Sequence, residues 1–291
     1  MGGIADDPRA FAADGEDLLL FYYEMSVTSA DASLRRLAAA RGHELALRWC
    51  GLHPVVPAGA SPDALLMLAG GAWVSERFGV PAGGLRKAIR RAAPAYSAKD
   101  FLGFDPALGP PPPGLSVKAR YDMWCDALIT AYTGDLIGAR FGAAYAQVIR
   151  WLPAMRPYPL PVMQSEFDAV TYSITHAIYT LNHYNVYAVD RACLGPEFAW
   201  LTGHLPDVIR LQDPETTGEF LDTLRSFGMT ETDPSVRAGV EFLLSAQNAD
   251  GSWGDPKGTD TYTRYHSTWT AIDGLREYRF KRARACPLPA R

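Results

Sequence analysis

Apolar residues recur at intervals of three and four over most of the chain, which is the spacing of an amphipathic α-helix. Leu34, Leu37, Leu45 and Trp49 illustrate this spacing in segment 30–50. The same pattern covers segments 14–25, 62–78, 81–91, 117–133, 135–151, 165–190 and 196–211. No segment shows the sustained two-residue alternation of a half-buried strand. The pattern therefore predicts an all-α protein of about eleven to twelve helices.

Three sites carry residues that begin helices. Ser61-Pro62, Asp213-Pro214 and Asp233-Pro234 each pair a capping side chain with a proline at the first helical position. The last two lead into the same tripeptide, Glu-Phe-Leu, at 219–221 and 241–243. This echo indicates an internally repeated helical architecture.

Two proline-rich segments interrupt the helical pattern, at 94–114 and 153–161. The first contains four consecutive prolines at 110–113, which cannot lie inside a helix and favour polyproline II. We expect residues 94–114 to form an irregular arm or a linker within a single domain that spans 1–291.

The stretch 242–278 holds a turn between two helices. The first helix is predicted to end near Gln247, and Asp250-Gly251 is a turn signal because glycine accepts a positive φ. Trp253 follows the turn, where its ring can fold back on the end of the preceding helix. The second helix is predicted to start near Tyr265.

The order of Gln247, Asp250, Gly251 and Trp253 resembles the repeat of the terpene cyclase and protein prenyltransferase β-subunit families. The helix that follows in these families is matched by Thr268, Ala271, Gly274 and Leu275. The resemblance implies an α/α toroid, in which paired helices surround a central cavity. An α-solenoid and an irregular helical bundle are the rival architectures.

The reaction motifs of these families are absent from the chain. It contains neither the Asp-x-Asp-Asp motif of class II terpene cyclases nor the Asp-Asp-x-x-Asp motif of class I synthases. Asp190 and Cys193 do not have the Asp-x-Cys spacing of the prenyltransferase zinc site. The resemblance therefore bears on the fold and leaves the reaction open.

Segment 165–190 carries the first candidate site. At about 100° per residue, five polar or aromatic residues fall within an arc of roughly 80°: Asp168, Tyr172, His176, Tyr179 and His183. The opposite side is aliphatic. This stripe lacks the Lys, Arg and Glu that solvated faces favour. It is either the water-facing side of a surface helix or the lining of a half-buried cavity.

A second candidate cluster follows Trp253 and consists of Asp260, Tyr262, Tyr265, His266 and Trp269. Two interpretations are open. In the first, Asp260 caps the second helix or tethers its loop, and His266 is an ordinary helix-start residue. In the second, Asp260, Tyr262 and His266 meet the stripe across the cavity of the toroid.

The predicted function is an enzyme of specialised metabolism that cyclises or isomerises a hydrophobic small molecule without a cofactor. Imidazole titrates near neutrality, which suits proton transfer. The expected catalytic residues are Asp168, Tyr172, His176, Asp260, Tyr262 and His266. The expected substrate-binding residues are Tyr179, His183, Trp253, Tyr265 and Trp269, whose rings can also steady a developing cation.

Two alternatives remain. A Zn, Fe or Cu enzyme on the same scaffold would use His176, Asp260 and His266 as ligands of a divalent transition metal. A non-catalytic helical binding module would hold a partner instead.

Composition narrows the class of protein further. The chain is 48% hydrophobic with a net charge of −4, and its only basic run is Lys281–Arg284, which argues against a nucleic-acid partner. No run of eighteen apolar residues is present, and acidic Asp6 and Asp7 stand where a signal peptide would be basic. The four cysteines are scattered, at 50, 125, 193 and 286. This scatter predicts reduced thiols and a cytoplasmic location.

Overall fold

The computed structural model describes residues 2–258 and 260–286, and the side chains of all of these except Gly2 and Gly3. The described residues form thirteen α-helices and no β-strand, which confirms the all-α prediction. The helices are α1 Gly2–Asp6, α2 Pro8–Thr28, α3 Ala32–Leu52, α4 Pro62–Arg77, α5 Gly83–Ala92, α6 Ala98–Leu102, α7 Val117–Ile137, α8 Tyr145–Ile149, α9 Gln164–Asn182, α10 Gly195–Arg210, α11 Pro214–Ser226, α12 Pro234–Ser245 and α13 Thr261–Leu275. Short 3₁₀ turns follow α5 and α8.

The predicted helix starts are confirmed by their caps. Ser61 accepts a hydrogen bond from the backbone N–H of Ala64, and Asp233 accepts one from Ser235. Asp213 caps α11 in the same way. No helix in the described part of the chain is both long and apolar enough to cross a lipid bilayer.

The described residues separate into two compact units. Unit 1 contains residues 2–45 and 182–286, and unit 2 contains residues 46–181. The chain passes from one unit to the other within α3 and at the end of α9. The single toroid domain over 1–291 stays a prediction.

Helix α11 is the centre of unit 1, and every residue from Thr216 to Ser226 is buried. It packs closely against α13 because two glycines meet at the crossing. A Cβ atom on Gly218 would lie 2.3 Å from the carbonyl oxygen of Thr270, and one on Gly274 would lie 2.9 Å from the Cα atom of Gly218. This close approach positions the side chains of both helices that form the site described below.

Unit 2 has an aromatic core between α4 and α7. Trp49, Trp124 and Phe141 are fully buried, and the ring of Trp49 occupies the space beside Gly71, where a Cβ atom would lie 2.1 Å from it. A helical hairpin around Gly134 was predicted, but α7 runs through Gly134 and ends at Ile137, where Gly138 caps it with a φ of +67°. The segment after it holds only the five-residue helix α8.

The proline-rich segment 94–114 belongs to unit 2 and is more ordered than an open arm. Ser97 and Asp100 form a capping box that begins the short helix α6. The carbonyl oxygen of Pro106 accepts hydrogen bonds from the side chains of Arg150 and Trp151, both at 2.8 Å. The residues around the consecutive prolines themselves are irregular, as predicted.

Candidate functional site

Helix α13 begins earlier than predicted, at Thr261, because Asp260 caps it. Its carboxylate accepts the backbone N–H groups of Tyr262 at 3.2 Å and Thr263 at 3.3 Å, and also the hydroxyl of Thr263. Asp260 is exposed, and the hydrogen bond from Thr263 lowers its pKa. The capping interpretation is therefore the one the geometry supports, and a carboxylate held in this way is a poor proton donor.

Trp253 folds back on the preceding helix, as predicted. The residue is buried, its indole N–H donates to the carbonyl oxygen of Leu243 at 2.7 Å, and its backbone N–H donates to the hydroxyl of Thr268 at 3.0 Å. These bonds fasten the turn to α12 and α13. They give Trp253 a structural role, and the substrate-binding role expected of it stays a prediction.

One side of α13 carries a row of rings. The rings of Tyr262 and His266 are stacked, with centroids 5.6 Å apart, and Tyr265 lies 5.8 Å from Trp269. Phe21 of α2 meets Trp269 edge-on at 6.0 Å. The predicted aromatic cluster after Trp253 therefore exists within unit 1, at the contact of α13 with α2.

Two carboxyl groups from other helices complete this region. The Tyr262 hydroxyl donates to Oδ2 of Asp17 at 3.1 Å, and Nδ1 of His266 lies 3.0 Å from Oε1 of Glu215. Ser267 donates to the second oxygen of Glu215 at 3.1 Å. We call Asp17, Glu215, Tyr262, Tyr265 and His266 the acid–imidazole cluster. It joins α2, α11 and α13.

The surroundings change the proton affinity of these groups. Burial would lower the pKa of His266, but the hydrogen bond and negative charge of Glu215 outweigh it and raise the pKa to about 9. Burial raises the pKa of Asp17, against the opposing effects of the His266 charge and the Tyr262 hydrogen bond. At neutral pH His266 is therefore a cation, and Asp17 holds a proton more tightly than an ordinary aspartate.

The acid–imidazole cluster extends from the surface to the interior of unit 1. Tyr262 is 37% exposed, whereas Tyr265 is only 5% exposed. The Tyr265 hydroxyl has no hydrogen-bond partner among the described residues, and neither does Oε2 of Glu16, the residue that precedes Asp17. Burial and the charge of Asp17 raise the pKa of Glu16 to about 9. Buried polar groups are normally hydrogen-bonded, so this end of the cluster can accept a polar ligand group.

Farther along α13, a buried ion pair ends the polar row. The Nε–H of Arg276 and the indole N–H of Trp269 both donate to the carboxylate of Asp273, at 2.5 Å and 2.6 Å. Glu24 of α2 is buried, and its pKa is raised by burial and by the charge of Asp273. Trp269 therefore has a structural partner as well as a place in the ring row.

The predicted stripe on α9 lies in unit 2 for four of its five residues. Asp168, Tyr172 and His176 are half-buried and Tyr179 is buried, while the opposite side of α9 is in the core. Nδ1 of His176 lies 2.9 Å from the carbonyl oxygen of Tyr172, so it carries the proton and donates it. Asp168 accepts a hydrogen bond from Gln164 at 2.7 Å.

His183 does not belong to the stripe, because α9 ends at Asn182 and not at residue 190. His183, Tyr184 and Asn185 all have positive φ, and the Asn182 side chain accepts the backbone N–H of Asn185 at 2.9 Å. The left-handed turn brings His183 to the C-terminal segment, where Nε2 lies 2.5 Å from Nη1 of Arg284. Asparagine favours such turns, which was the available sequence signal.

No three His, Cys, Asp or Glu side chains among the described residues are grouped so that they could hold a metal ion. The alternative site of His176, Asp260 and His266 draws its residues from both units and stays a prediction. The carboxylate of Asp260 caps α13, and Nδ1 of His266 faces Glu215.

Comparisons with protein-family models, with curated proteins and with solved structures each return no match. The resemblance to the terpene cyclase and prenyltransferase toroids therefore rests on the sequence motif alone, and it is the geometry of the acid–imidazole cluster that bears on function.

Proposed function

We propose that the protein is an enzyme that isomerises a hydrophobic carbonyl compound by moving a proton, and that the acid–imidazole cluster is the place where the proton moves. One observation supports this most directly. Tyr262 bridges a carboxyl group of raised pKa, Asp17, and an imidazolium, His266, through one hydrogen bond and one ring stack. A base and a cation side by side are the two groups that enolisation needs.

The pKa values favour isomerisation over cyclisation. Cyclising a polyene by protonating a carbon–carbon double bond requires a strong acid, and His266, with a pKa of about 9, is a weak one. The same cation is well suited to stabilise the negative oxygen of an enolate. The Asp17 carboxylate, with its raised pKa, is a better base than an ordinary aspartate. Isomerisation is therefore the better-supported half of the predicted activity.

The reaction balances without a cofactor. The Asp17 carboxylate takes a proton from the carbon beside the carbonyl group, and the electron pair moves to the carbonyl oxygen. His266 and the Tyr265 hydroxyl donate hydrogen bonds to that oxygen. Asp17 then returns the proton to a different carbon, which shifts the double bond. Trp269, which the buried Phe21 contacts edge-on, supplies an apolar wall for the hydrocarbon part of the substrate.

Deuterium exchange tests the proposal. Purified protein is incubated in D₂O with a panel of β,γ- and α,β-unsaturated ketones, and deuterium uptake at carbon is followed by mass spectrometry. We expect uptake with the wild-type protein and a loss of at least about a hundredfold in Asp17→Asn and His266→Gln, because general acid–base groups contribute factors of this order. No uptake with any ketone would overturn the proposal.

A second imidazole–carboxylate pair in the same unit provides the control. His204 lies 2.9 Å from Asp207 on α10, outside the acid–imidazole cluster. His204→Gln and Asp207→Asn remove the same chemical groups and should leave the exchange rate unchanged. If all four variants lose the same activity, the proton transfer is not assigned to the cluster. The predicted roles of Asp168, Tyr172 and His176 stay predictions, which His176→Ala tests in the same assay.

A further inference from the structure

The segment that follows α13 forms a strap along the surface of unit 1, and we call residues 276–286 the C-terminal strap. Its backbone is fixed from two sides. Arg279 N–H donates to Thr28 at 2.8 Å on one side, and Lys281 N–H donates to Val186 at 2.8 Å on the other. A disulfide between Cys193 and Cys286 holds its end. The basic run Lys281–Arg284 is therefore partly built into the fold.

The extended backbone sorts the side chains of the C-terminal strap. Residues two apart in an extended chain share a side. The rings of Tyr278 and Phe280 stack on each other at 5.0 Å, whereas Arg279 and Lys281 are exposed. The extended backbone therefore holds the two cations on the same side of the C-terminal strap. A free tail would not fix their positions in this way.

These two cations line a groove of about 410 Å³ in unit 1, together with Tyr23, Val27 and Val186. None of the five lining residues is acidic, although the chain as a whole has a net charge of −4. The Nε–H of Arg279 donates to the carbonyl oxygen of Val27 at 3.1 Å, which holds the guanidinium at the wall of the groove. The groove is therefore cationic, with apolar walls from two valines.

We infer that this groove binds a small organic anion, in which a carboxylate or phosphate group meets Arg279 and Lys281 and a short apolar group lies against Val27 and Val186. A guanidinium recognises either oxyanion through two parallel hydrogen bonds, and an ammonium adds a point charge. The volume lies at the small end of ligand sites, which suits a small molecule and not a polymer. This site is separate in residues from the acid–imidazole cluster and does not depend on its proposed function.

The neighbouring basic residues of the C-terminal strap have other places. The Arg284 guanidinium lies 3.9 Å above the ring of Tyr187 and donates to its hydroxyl at 2.6 Å. Arg282 is exposed and does not line the groove. Arg282 therefore provides a matched control, because it has the same charge on the same segment.

Calorimetric titration at low salt tests the inference with hexanoate, phenyl phosphate, inorganic phosphate and the neutral analogue hexanamide. We expect hexanoate and phenyl phosphate to bind more tightly than inorganic phosphate, and hexanamide not to bind. Arg279→Gln and Lys281→Gln should each weaken binding about tenfold, which corresponds to the loss of one charge-assisted contact. Arg282→Gln should change it less than twofold.

Three outcomes would overturn the inference. One is the absence of binding by any of the anions. Another is equal weakening by Arg282→Gln and Arg279→Gln, which would show attraction to general positive charge. The third is binding to phosphatidylglycerol vesicles without binding of the free anions, which would assign the cations to a lipid surface. Binding can also be followed by NMR at the methyl groups of Val27 and Val186. This readout does not depend on the arginine variants.

Discussion

Glu215 sets the charge of His266 in the acid–imidazole cluster. It follows Pro214 in the first turn of α11, which Asp213 caps, so the backbone that carries its side chain is fixed. Both of its oxygens are used, one by His266 and one by Ser267. The sequence singled out His266 but gave no reason to pair it with Glu215, because the two are 51 positions apart, and only the crossing of α11 and α13 joins them.

Replacing Glu215 with Gln should lower the pKa of His266 from about 9, because the change removes the hydrogen bond and the charge that most strongly oppose burial, while the charges of Glu219 and Asp17 remain. The folded-state pKa exceeds the ordinary value of 6.5, so the pair stabilises the wild-type protein fully below pH 6.5. This contribution declines as the pH rises towards 9 and is lost above it. It amounts to a few kcal/mol at most, because each tenfold change in proton affinity is worth about 1.4 kcal/mol.

Two measurements check this expectation. NMR titration of the His266 ring gives its pKa in both proteins, and urea unfolding between pH 6 and 10 gives the stability difference. The wild-type protein should lose its advantage over Glu215→Gln as the pH rises through this range. A His266 pKa near 6.5 in the wild-type protein would contradict the pairing.

At the scale of helices, the contact of α11 with α13 depends on the absence of side chains. The gap at Gly218 is smaller than a methyl group, because its nearest neighbours are backbone atoms of Thr270 and Ala271, at 2.3 Å and 2.8 Å from a built Cβ. Backbone atoms cannot move aside as a flexible side chain can. The helices must separate to admit a side chain there, and Glu215 would then move relative to His266.

Gly218→Ala should therefore destabilise the protein by about 2 kcal/mol or more, as expected for overpacking against backbone. Gly203 in α10 is the matched control, because it is an exposed helical glycine with no atom within 4 Å of a built Cβ. Gly203→Ala should be neutral or stabilising by up to about 1 kcal/mol, since alanine favours helix. Urea unfolding of the two variants measures both effects, and equal stability of the two would contradict the close helix crossing.

Local patterns predicted the elements well and their ends less well. The caps at Ser61, Asp213 and Asp233 act within four residues, so the sequence displays them directly. The end of α9 depends on three successive left-handed residues after Asn182, which periodicity does not register. The aromatic row of α13 follows from helical spacing alone. Its partners Asp17 and Glu215 come from distant segments, and so the predicted site held three of the five residues of the acid–imidazole cluster.

At the scale of the whole chain, one covalent link changes the expected chemistry. Four reduced thiols were predicted from scattered cysteines, but Cys193 and Cys286 form a disulfide across 93 positions with Cα atoms 5.5 Å apart. Scatter in sequence does not exclude pairing, because the C-terminal strap returns to the residues before α10. Disulfides persist in oxidising compartments, so the cysteines of this chain no longer favour a cytoplasmic location.

The disulfide determines how many thiols can react and contributes to the free energy of unfolding. Unfolded without reductant, the protein should react with a thiol reagent at two cysteines, Cys50 and Cys125, and at four after reduction. Reduction, or the double change Cys193→Ser and Cys286→Ser, should lower the free energy of unfolding by about 2–4 kcal/mol, because the long loop gains freedom in the unfolded chain. Cys50→Ser should leave both the disulfide and the stability nearly unchanged. Four reactive thiols before reduction would show that the link does not form, and anion binding in the groove would then have to rely on the backbone bonds of the C-terminal strap alone.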